Sequence, residues 1–193
     1  VCASQAALIP EWMSVGFIHG VMNTDNCAIG GETIDYGPCA FMDAYSESRV
    51  FSSIDQQARY AYANQPNIAV WNMAQFATAM LQQMDDKEAA VEEATEIVHA
   101  MPAQLEAQWL KRFGAKIGLN DATPADQPMI EDLLGLMQTD GADFTNTFAH
   151  LGTETAQDQF TDRAAFQAWV VSWKARLTQE DDPTATMADA NPV

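Results

Sequence analysis

Apolar residues recur at helical spacing in most long stretches of the chain, which predicts a mainly α-helical protein. The first stretch, SQAALIPEWMSVGFIHG, predicts a helix that ends just before His19, with Pro10 causing a kink or a late start. The later stretches predict helices over residues 66–84, 87–117 with a break at Pro102, 128–139, 142–151 and 162–179.

Two of these predicted helices have a clear apolar face. The first face consists of Ile68, Trp71, Met73, Phe76, Met80 and Met84. The second consists of Phe166, Trp169, Val170, Trp173 and Leu177. The second spacing is typical of a packed amphipathic helix and not of an aromatic binding site. We therefore expect both faces to lie in the core.

One short segment, NCAIGGETIDYG, has the pattern of a β-hairpin. It predicts two very short strands, Cys27–Ile29 and Thr33–Asp35, joined by a Gly30-Gly31 turn that can take positive φ. Such a hairpin places Asn26 at its entrance and Asp35 at its exit, close enough to share one ligand. The predicted fold class is therefore mainly α with a small β-hairpin.

Two segments show no periodicity. Residues 37–65 mix Pro, Gly, Ser, Asp and Asn with aromatic residues, and a loop of this length inside a compact domain is more often functional than structural. Residues 180–193, EDDPTATMADANPV, predict a loop or a disordered tail.

Composition limits the classes of function. With 48% apolar and 19% charged residues, the chain resembles an ordinary globular protein, and no run of about 18 apolar residues predicts a membrane span. The net charge of -18 argues against binding to nucleic acid or to an anionic membrane. A nucleotide would be repelled by the same charge, so its binding would need divalent cations.

The cysteines indicate a reducing compartment. Cys2, Cys27 and Cys39 form no CxxC pair, and an odd number is a poor basis for disulfides. We interpret Cys27 and Cys39 as small core residues.

Polar residues around the hairpin follow the order of a phosphate-handling site. Kinase-like phosphotransferases have a His-x-Asp-x-x-x-x-Asn catalytic loop, followed by an Asp-Phe-Gly element whose Asp holds metal ions. His19, Val21 and Asn26 take the three loop positions here, and Asp35-Tyr36-Gly37 takes the position of Asp-Phe-Gly. Only the catalytic base is missing, because Val21 replaces it.

The residues that remain are the ones such chemistry needs most. Hard oxygen ligands such as those of Asn26 and Asp35 neutralise phosphate charge through a metal, whereas a base contributes a factor of about 10² to 10⁴. Asp25 is the only local acid well placed to replace the base. Taken separately, these residues would be an ordinary turn or cap, and His19 a structural residue that holds the loop. Their order around a hairpin favours a site for a nucleotide and a metal.

The chain also resembles a known family. The stretches VGFIHGVMNTDNCAIGGETIDYGPCAFMDAY and ARYAYANQPNIAVWNMAQFATAML resemble the selenoprotein O family, also called SelO or YdiU, and the likeness continues through KIGL, DFTNTF and DRAAFQAWVVSWKARL to the terminal NP. This resemblance implies a protein-kinase-like fold and a protein adenylyltransferase that binds ATP in inverted orientation. Such an enzyme transfers AMP to Ser, Thr or Tyr hydroxyls of proteins and releases pyrophosphate.

The resemblance also implies roles for individual residues. Asp25 would be the general base, while Asn26 and Asp35 would bind Mg²⁺ or Mn²⁺ and, through it, ATP. Tyr36 and Gly37 would complete the motif without a direct chemical role. An inverted ATP presents its α-phosphate for attack, which would explain why no base stands at position 21.

Some features depart from the family pattern. Ala58 stands where a Gly is expected before Arg-Tyr, and Ala149 stands where an Arg is expected. No Gly-rich loop and no ATP-binding Lys-Glu pair precede the motif. We therefore expect residues 1–179 to be a kinase-like C-lobe fragment of a larger catalytic domain, inactive by itself.

Two other functions remain open. One is a conventional phosphotransferase of the aminoglycoside-kinase type, which Val21 disfavours, and the other is an inactive pseudokinase that acts as a scaffold or nucleotide sensor. We expect a bacterial cytoplasmic protein, or a mitochondrial one if the source is eukaryotic.

Overall fold

The computed structural model describes residues 1–191, and within them the chain is mainly helical, as predicted. The α-helices are α1 (Cys2–Ser14), α2 (Gln65–Met80), α3 (Lys87–Lys116), α4 (Gln127–Asp140), α5 (Phe144–His150), α6 (Arg163–Leu177) and α7 (Pro183–Ala190). Two short strands, β1 (Phe17–Ile18) and β2 (Ala40–Phe41), pair with each other. Within residues 1–191, no helix combines the length and apolar character that crossing a membrane requires.

The chain divides into two compact units. The first comprises Val1–Met13, Phe17–Ala40 and Val50–Gln108, and the second comprises Ser14–Gly16, Phe41–Arg49 and the chain from Trp109 onward. All of the predicted site residues lie in the first unit.

Helix α1 anchors the core of the first unit. Its buried residues Ile9, Trp12 and Met13 follow helical spacing, and Pro10 lies inside the helix without ending it. The helix ends at Ser14, and β1 separates it from His19. The sequence therefore located the helix correctly but extended it too far.

Helix α2 buries a different face from the predicted one. Trp71, Met80 and Met84 are exposed, at 44%, 40% and 42% of their surface. The buried residues are Gln65, Ile68, Ala69, Asn72 and Met73, spaced as one helical face. The predicted face is therefore wrong in part, because two amides are buried with hydrogen-bond partners while larger apolar side chains remain outside.

Helix α3 continues through Pro102, so the predicted break is wrong. Proline removes one backbone donor and crowds the preceding turn, but it can bend a helix without ending it. Its neighbours Met101 and Leu105 are buried, and their packing offsets the lost hydrogen bond.

In the second unit, α6 packs on α4 through the predicted aromatic residues. Phe166, Trp169 and Trp173 are buried and stack successively, with ring centroids 6.0 and 5.4 Å apart. Asp162 caps the helix by accepting a hydrogen bond from the Ala165 amide. The interpretation of this face as core is confirmed for these three residues, whereas Val170 and Leu177 are half-buried.

Arg176 closes the other end of α6. Its guanidinium donates to Asp126 Oδ1 at 2.6 Å and to Glu180 Oε1 at 2.8 Å. Burial raises the pKa of the Asp126 carboxyl, but the hydrogen bonds from Arg176 and Thr123 outweigh it, and the pKa is lowered overall. The charged pair therefore holds the C-terminal end of α6 in place.

Residues 183–190 form α7, where the sequence predicted a loop or disordered tail. Asp182 accepts a hydrogen bond from the Ala185 amide and Pro183 occupies the first turn, which together start a helix without an apolar periodicity. Pro192 and Val193, the rest of the predicted tail, lie outside the described residues.

The buried Lys116, at the end of α3, hydrogen-bonds to the residue that follows α7. The Lys116 ammonium donates to Asn191 Oδ1 at 2.7 Å and lies 4.5 Å from the centre of the Phe148 ring. The Asn191 amide donates back to the Lys116 carbonyl at 3.0 Å. Burial lowers the pKa of Lys116 to about 8.

Candidate functional site

The predicted hairpin exists in a reduced form. A single antiparallel bridge joins Cys27 to Thr33, and the Gly31 amide donates to the Ala28 carbonyl to close the turn. Gly31 has φ of +87°, and a Cβ there would lie 2.7 Å from Ser4 Cβ, so this position requires glycine. The two predicted strands are therefore wrong in length, but the reversal they predicted is present.

Helix α1 fixes the hairpin from one side. The Gln5 side chain donates to the Ala28 carbonyl at 2.7 Å, and the Trp12 indole donates to Thr33 Oγ1 at 2.8 Å. These bonds hold both arms of the hairpin on the same helix. The chain on either side of the bridge, towards Asn26 and towards Asp35, leaves at the same end of the hairpin.

Asp25 and Asn26 lie in a short 3-10 turn, Thr24–Asn26. The Asn26 backbone donates to the Asn23 carbonyl at 3.0 Å, and its side-chain Nδ2 donates to the Val21 carbonyl at 3.0 Å. Because the nitrogen of the amide is used in this bond, the orientation of Asn26 Oδ1 is fixed. The Asp25 side chain is exposed to solvent.

Asp35 lies on the other side of the bridge in an unusual backbone conformation. Its φ is +55°, in the left-handed region that aspartate tolerates better than most residues, and it is exposed. This conformation ends the extended segment two residues after Thr33, which is why the second strand does not form. Such strain is concentrated at functional sites.

His19 joins the two sides of the site as a structural residue. It is fully buried, its ring stacks on Trp12, and its Nε2 donates to the Ile34 carbonyl at 2.7 Å. The Val21 amide lies 3.4 Å from Nδ1, so Nδ1 is the acceptor and the proton is on Nε2. This geometry agrees with the interpretation that His19 holds the loop.

The oxygen atoms of the candidate ligands are of the chemical type that divalent metals prefer. Within residues 1–191, no hydrogen bond is made to the carboxylates of Asp25 and Asp35 or to Asn26 Oδ1, and hard oxygen ligands suit Mg²⁺ and Mn²⁺. The described residues contain no cluster of three or more His, Cys, Asp or Glu that could hold a metal. An ion here would therefore complete its coordination with phosphate oxygens and water.

The structure adds residues that the sequence did not single out. Gln65 and Asn72 on α2 hydrogen-bond to the segment that carries Asp25 and Asn26. Tyr60 donates to Asn23 Oδ1, at the start of the same segment. Because Gln65 and Asn72 are polar, their positions in the sequence predict exposed side chains. Only their seven-residue spacing could have indicated that they share one face of α2.

Two further residues near this segment have surface roles. Arg59 lies over the Trp71 ring at 4.7 Å, which accounts for an exposed tryptophan. Ala58, where the resemblance predicts glycine, has φ of +54°.

The cysteines of the site are half-buried and free. Burial raises the pKa of the Cys27 thiol, against the opposing effect of a hydrogen bond from Asn72. A raised pKa keeps the thiol protonated and unreactive at neutral pH. Cys27 thus acts as a packing residue, although it is less buried than predicted.

Together, the fold and the site define a mainly helical protein with an exposed, oxygen-rich hairpin. The chain belongs to the family described as protein adenylyltransferase SelO, whose model matches residues 1–189. It is 67% identical over 192 residues to a protein nucleotidyltransferase YdiU of Roseobacter denitrificans, covering 100% of this chain and 41% of the relative.

Other relatives carry the same name. A protein of Ruegeria sp. is 62% identical over 98% of this chain and 40% of the relative, and one of Bradyrhizobium diazoefficiens is 47% identical over 96% and 39%. The chain therefore spans about two-fifths of the length of these curated relatives.

Proposed function

We propose that the protein containing this chain transfers AMP from ATP to Ser, Thr or Tyr hydroxyls of other proteins, and that the chain is its kinase-like C-lobe. The family supports nucleotidyl transfer. The observation that carries the proposal is the pair Asn26 and Asp35, held at one end of a bridged hairpin with oxygen atoms that make no hydrogen bond within residues 1–191.

The residues of this chain would divide the work as follows. Asn26 and Asp35 would hold Mg²⁺ or Mn²⁺, which neutralises charge on the phosphates of ATP. Asp25 would accept the proton of the substrate hydroxyl while the hydroxyl oxygen bonds to the α-phosphorus of ATP. The bond between the α-phosphorus and the oxygen that bridges it to the β-phosphate would break, and pyrophosphate would leave. Val21 supplies no base, and its carbonyl instead orients the Asn26 amide.

The surroundings of the site make the metal necessary. With a net charge of -18, the chain would repel ATP unless divalent cations offset that charge locally. The named relatives are bacterial, and we propose the cytoplasm as the place of action.

The test uses the full-length parent protein with ATP labelled on either the α- or the γ-phosphate. We expect α-label, but not γ-label, to become bound to protein in the presence of Mg²⁺ or Mn²⁺. Asp35→Asn should abolish transfer, because asparagine tolerates the left-handed backbone but weakens the metal site. The matched control is Asp85→Asn, an exposed residue of the same unit, which should retain full transfer.

The other outcomes favour the alternative functions. Protein-bound γ-label would indicate a conventional phosphotransferase with a displaced base. Binding of ATP without transfer of either label would indicate a scaffold or nucleotide sensor. Full transfer by Asp35→Asn would remove Asp35 from the ligand set.

A further inference from the structure

Helix α2 presents two buried amide side chains to the segment that carries the candidate site. Gln65 and Asn72 are seven residues apart, so they lie on one face of the helix, two turns from each other. Their exposure is 0% and 1%. Two amides this deeply buried on one helix face are unusual, because amide side chains are mostly exposed.

Gln65 hydrogen-bonds to the backbone just before the site. Its Oε1 accepts from the His19 amide at 3.0 Å, and its Nε2 donates to the Phe17 carbonyl at 3.1 Å. One side chain thus satisfies a backbone donor and a backbone acceptor two residues apart. This contact fixes the chain where it leaves β1.

Asn72 contacts both ends of the next segment, residues 22–27. Its Nδ2 donates to the Met22 carbonyl at 3.0 Å and lies 2.9 Å from Cys27 Sγ. Met22 precedes and Cys27 follows residues 23–26, so a single nitrogen holds the two ends of the turn that contains Asp25 and Asn26.

The other atom of the same amide limits what Asn72 contributes to stability. Asn72 Oδ1 is buried and has no hydrogen-bond partner within residues 1–191. A buried acceptor without a partner destabilises the folded state, so it offsets part of what the bond from Nδ2 to the Met22 carbonyl contributes. Local rules are commonly broken in this way where a residue serves function.

We propose that Gln65 and Asn72 are positioning residues, which hold residues 19–27 so that Asp25 and Asn26 keep the geometry needed for transfer. The inference rests on the proposed function for its catalytic consequence, but its structural part stands independently. It assigns the buried polar face of α2 to the site and not to the stability of the core.

The experiment compares Asn72→Leu with Asn67→Leu in the full-length parent protein. Both replace an asparagine of α2 by leucine, but Asn67 is exposed and contacts only Asn64 among its described hydrogen-bond partners. Gln65→Met and the exposed Gln75→Met form a second matched pair on the same helix. Three quantities are measured: the denaturation midpoint, hydrogen exchange of residues 19–27, and the kcat and KM for label transfer.

For Asn72→Leu we expect an unchanged or modestly lower denaturation midpoint, because removal of the unpaired oxygen offsets part of the cost of leaving the buried Met22 carbonyl without its donor. We also expect at least tenfold faster exchange in residues 19–27, and at least a tenfold lower kcat with a smaller change in KM for ATP. Misplacement of catalytic groups by about 1 Å can cost about 10²-fold in rate. Asn67→Leu should match the wild type in all three quantities.

Each contrary result overturns a defined part. Unchanged hydrogen exchange in residues 19–27 would refute the inference that Asn72 holds this segment in place. A kcat that falls only in proportion to a lower midpoint would show that Asn72 is merely structural. If the wild-type protein transfers no label, the proposed function fails, whereas the exchange and midpoint measurements still decide whether α2 holds the segment.

Discussion

Replacing Ala58 with glycine should stabilise the protein, although glycine usually has the opposite effect. Ala58 is exposed and has φ of +54°, where the side chain of an L-residue crowds its own backbone. Asp55 fixes this conformation, because its carboxylate accepts from the amides of Arg59 and Tyr60 at 2.9 and 2.8 Å. The turn therefore cannot relax to negative φ without losing two hydrogen bonds.

The size of the effect is a difference between two terms. The left-handed conformation costs an L-residue about 1–2 kcal/mol. Glycine removes that cost but gives the unfolded chain more freedom, which is worth about 0.4–1 kcal/mol in the other direction. We therefore expect Ala58→Gly to raise the free energy of unfolding by about 0.8 kcal/mol, the difference between the middles of the two ranges.

Chemical denaturation of the full-length protein measures this difference, provided that the slope with denaturant is unchanged. The control is Ala107→Gly, an exposed position inside α3, where glycine should lower the free energy of unfolding by about 1 kcal/mol. A loss of stability in Ala58→Gly similar to that of the control would refute the reasoning. It would mean that the hydrogen bonds of Asp55 do not enforce the left-handed turn.

Two further predictions concern charged groups of the second unit. Since the folded pKa of Lys116 is about 8 and its ordinary value is 10.5, the unfolded state binds more protons between these values, so stability should rise as pH increases from 8 to 10.5. Lys116→Met should remove this rise, and equal pH-dependences by urea denaturation would contradict the assignment. Arg176→Met should lower the free energy of unfolding by about 3 kcal/mol at pH 7, because it leaves the carboxylate of Asp126 buried without its oppositely charged partner. Since the pKa of Asp126 is lowered, the loss should shrink as pH falls through that pKa, and a loss that persists at low pH would show that packing and not charge is responsible.

The positions of most helices could be predicted from the sequence because their apolar residues follow the helical period. The aromatic face of α6 is the clearest case, since Phe166, Trp169 and Trp173 are each too large and apolar to remain outside together. Helix α7 could not be found in this way, because its start depends on Asp182 and Pro183 and not on a buried face.

The face of α2 shows why composition can mislead. Trp71 is the largest aromatic residue of the helix, yet its side chain is exposed and packs against Arg59. Asn72, its neighbour, is buried, and its partners are the Met22 carbonyl and the Cys27 sulfur of a distant segment. Hydrogen bonds over such distances leave no periodic signal, so sequence reasoning missed Gln65 and Asn72, whereas Asp25, Asn26 and Asp35 were predicted from their order in the chain.

The hydrogen bonds around the hairpin also predict an order of assembly. The bonds from α1 to the hairpin join residues 23 and 21 positions apart, whereas those from α2 to the hairpin and the segment before it span 45 to 50 positions. Since each doubling of a loop costs about 0.6 kcal/mol in closure entropy, we expect the pairing of α1 with the hairpin to form first. A newly made chain would then have a hairpin but no ordered site until α2 has been synthesised and has docked.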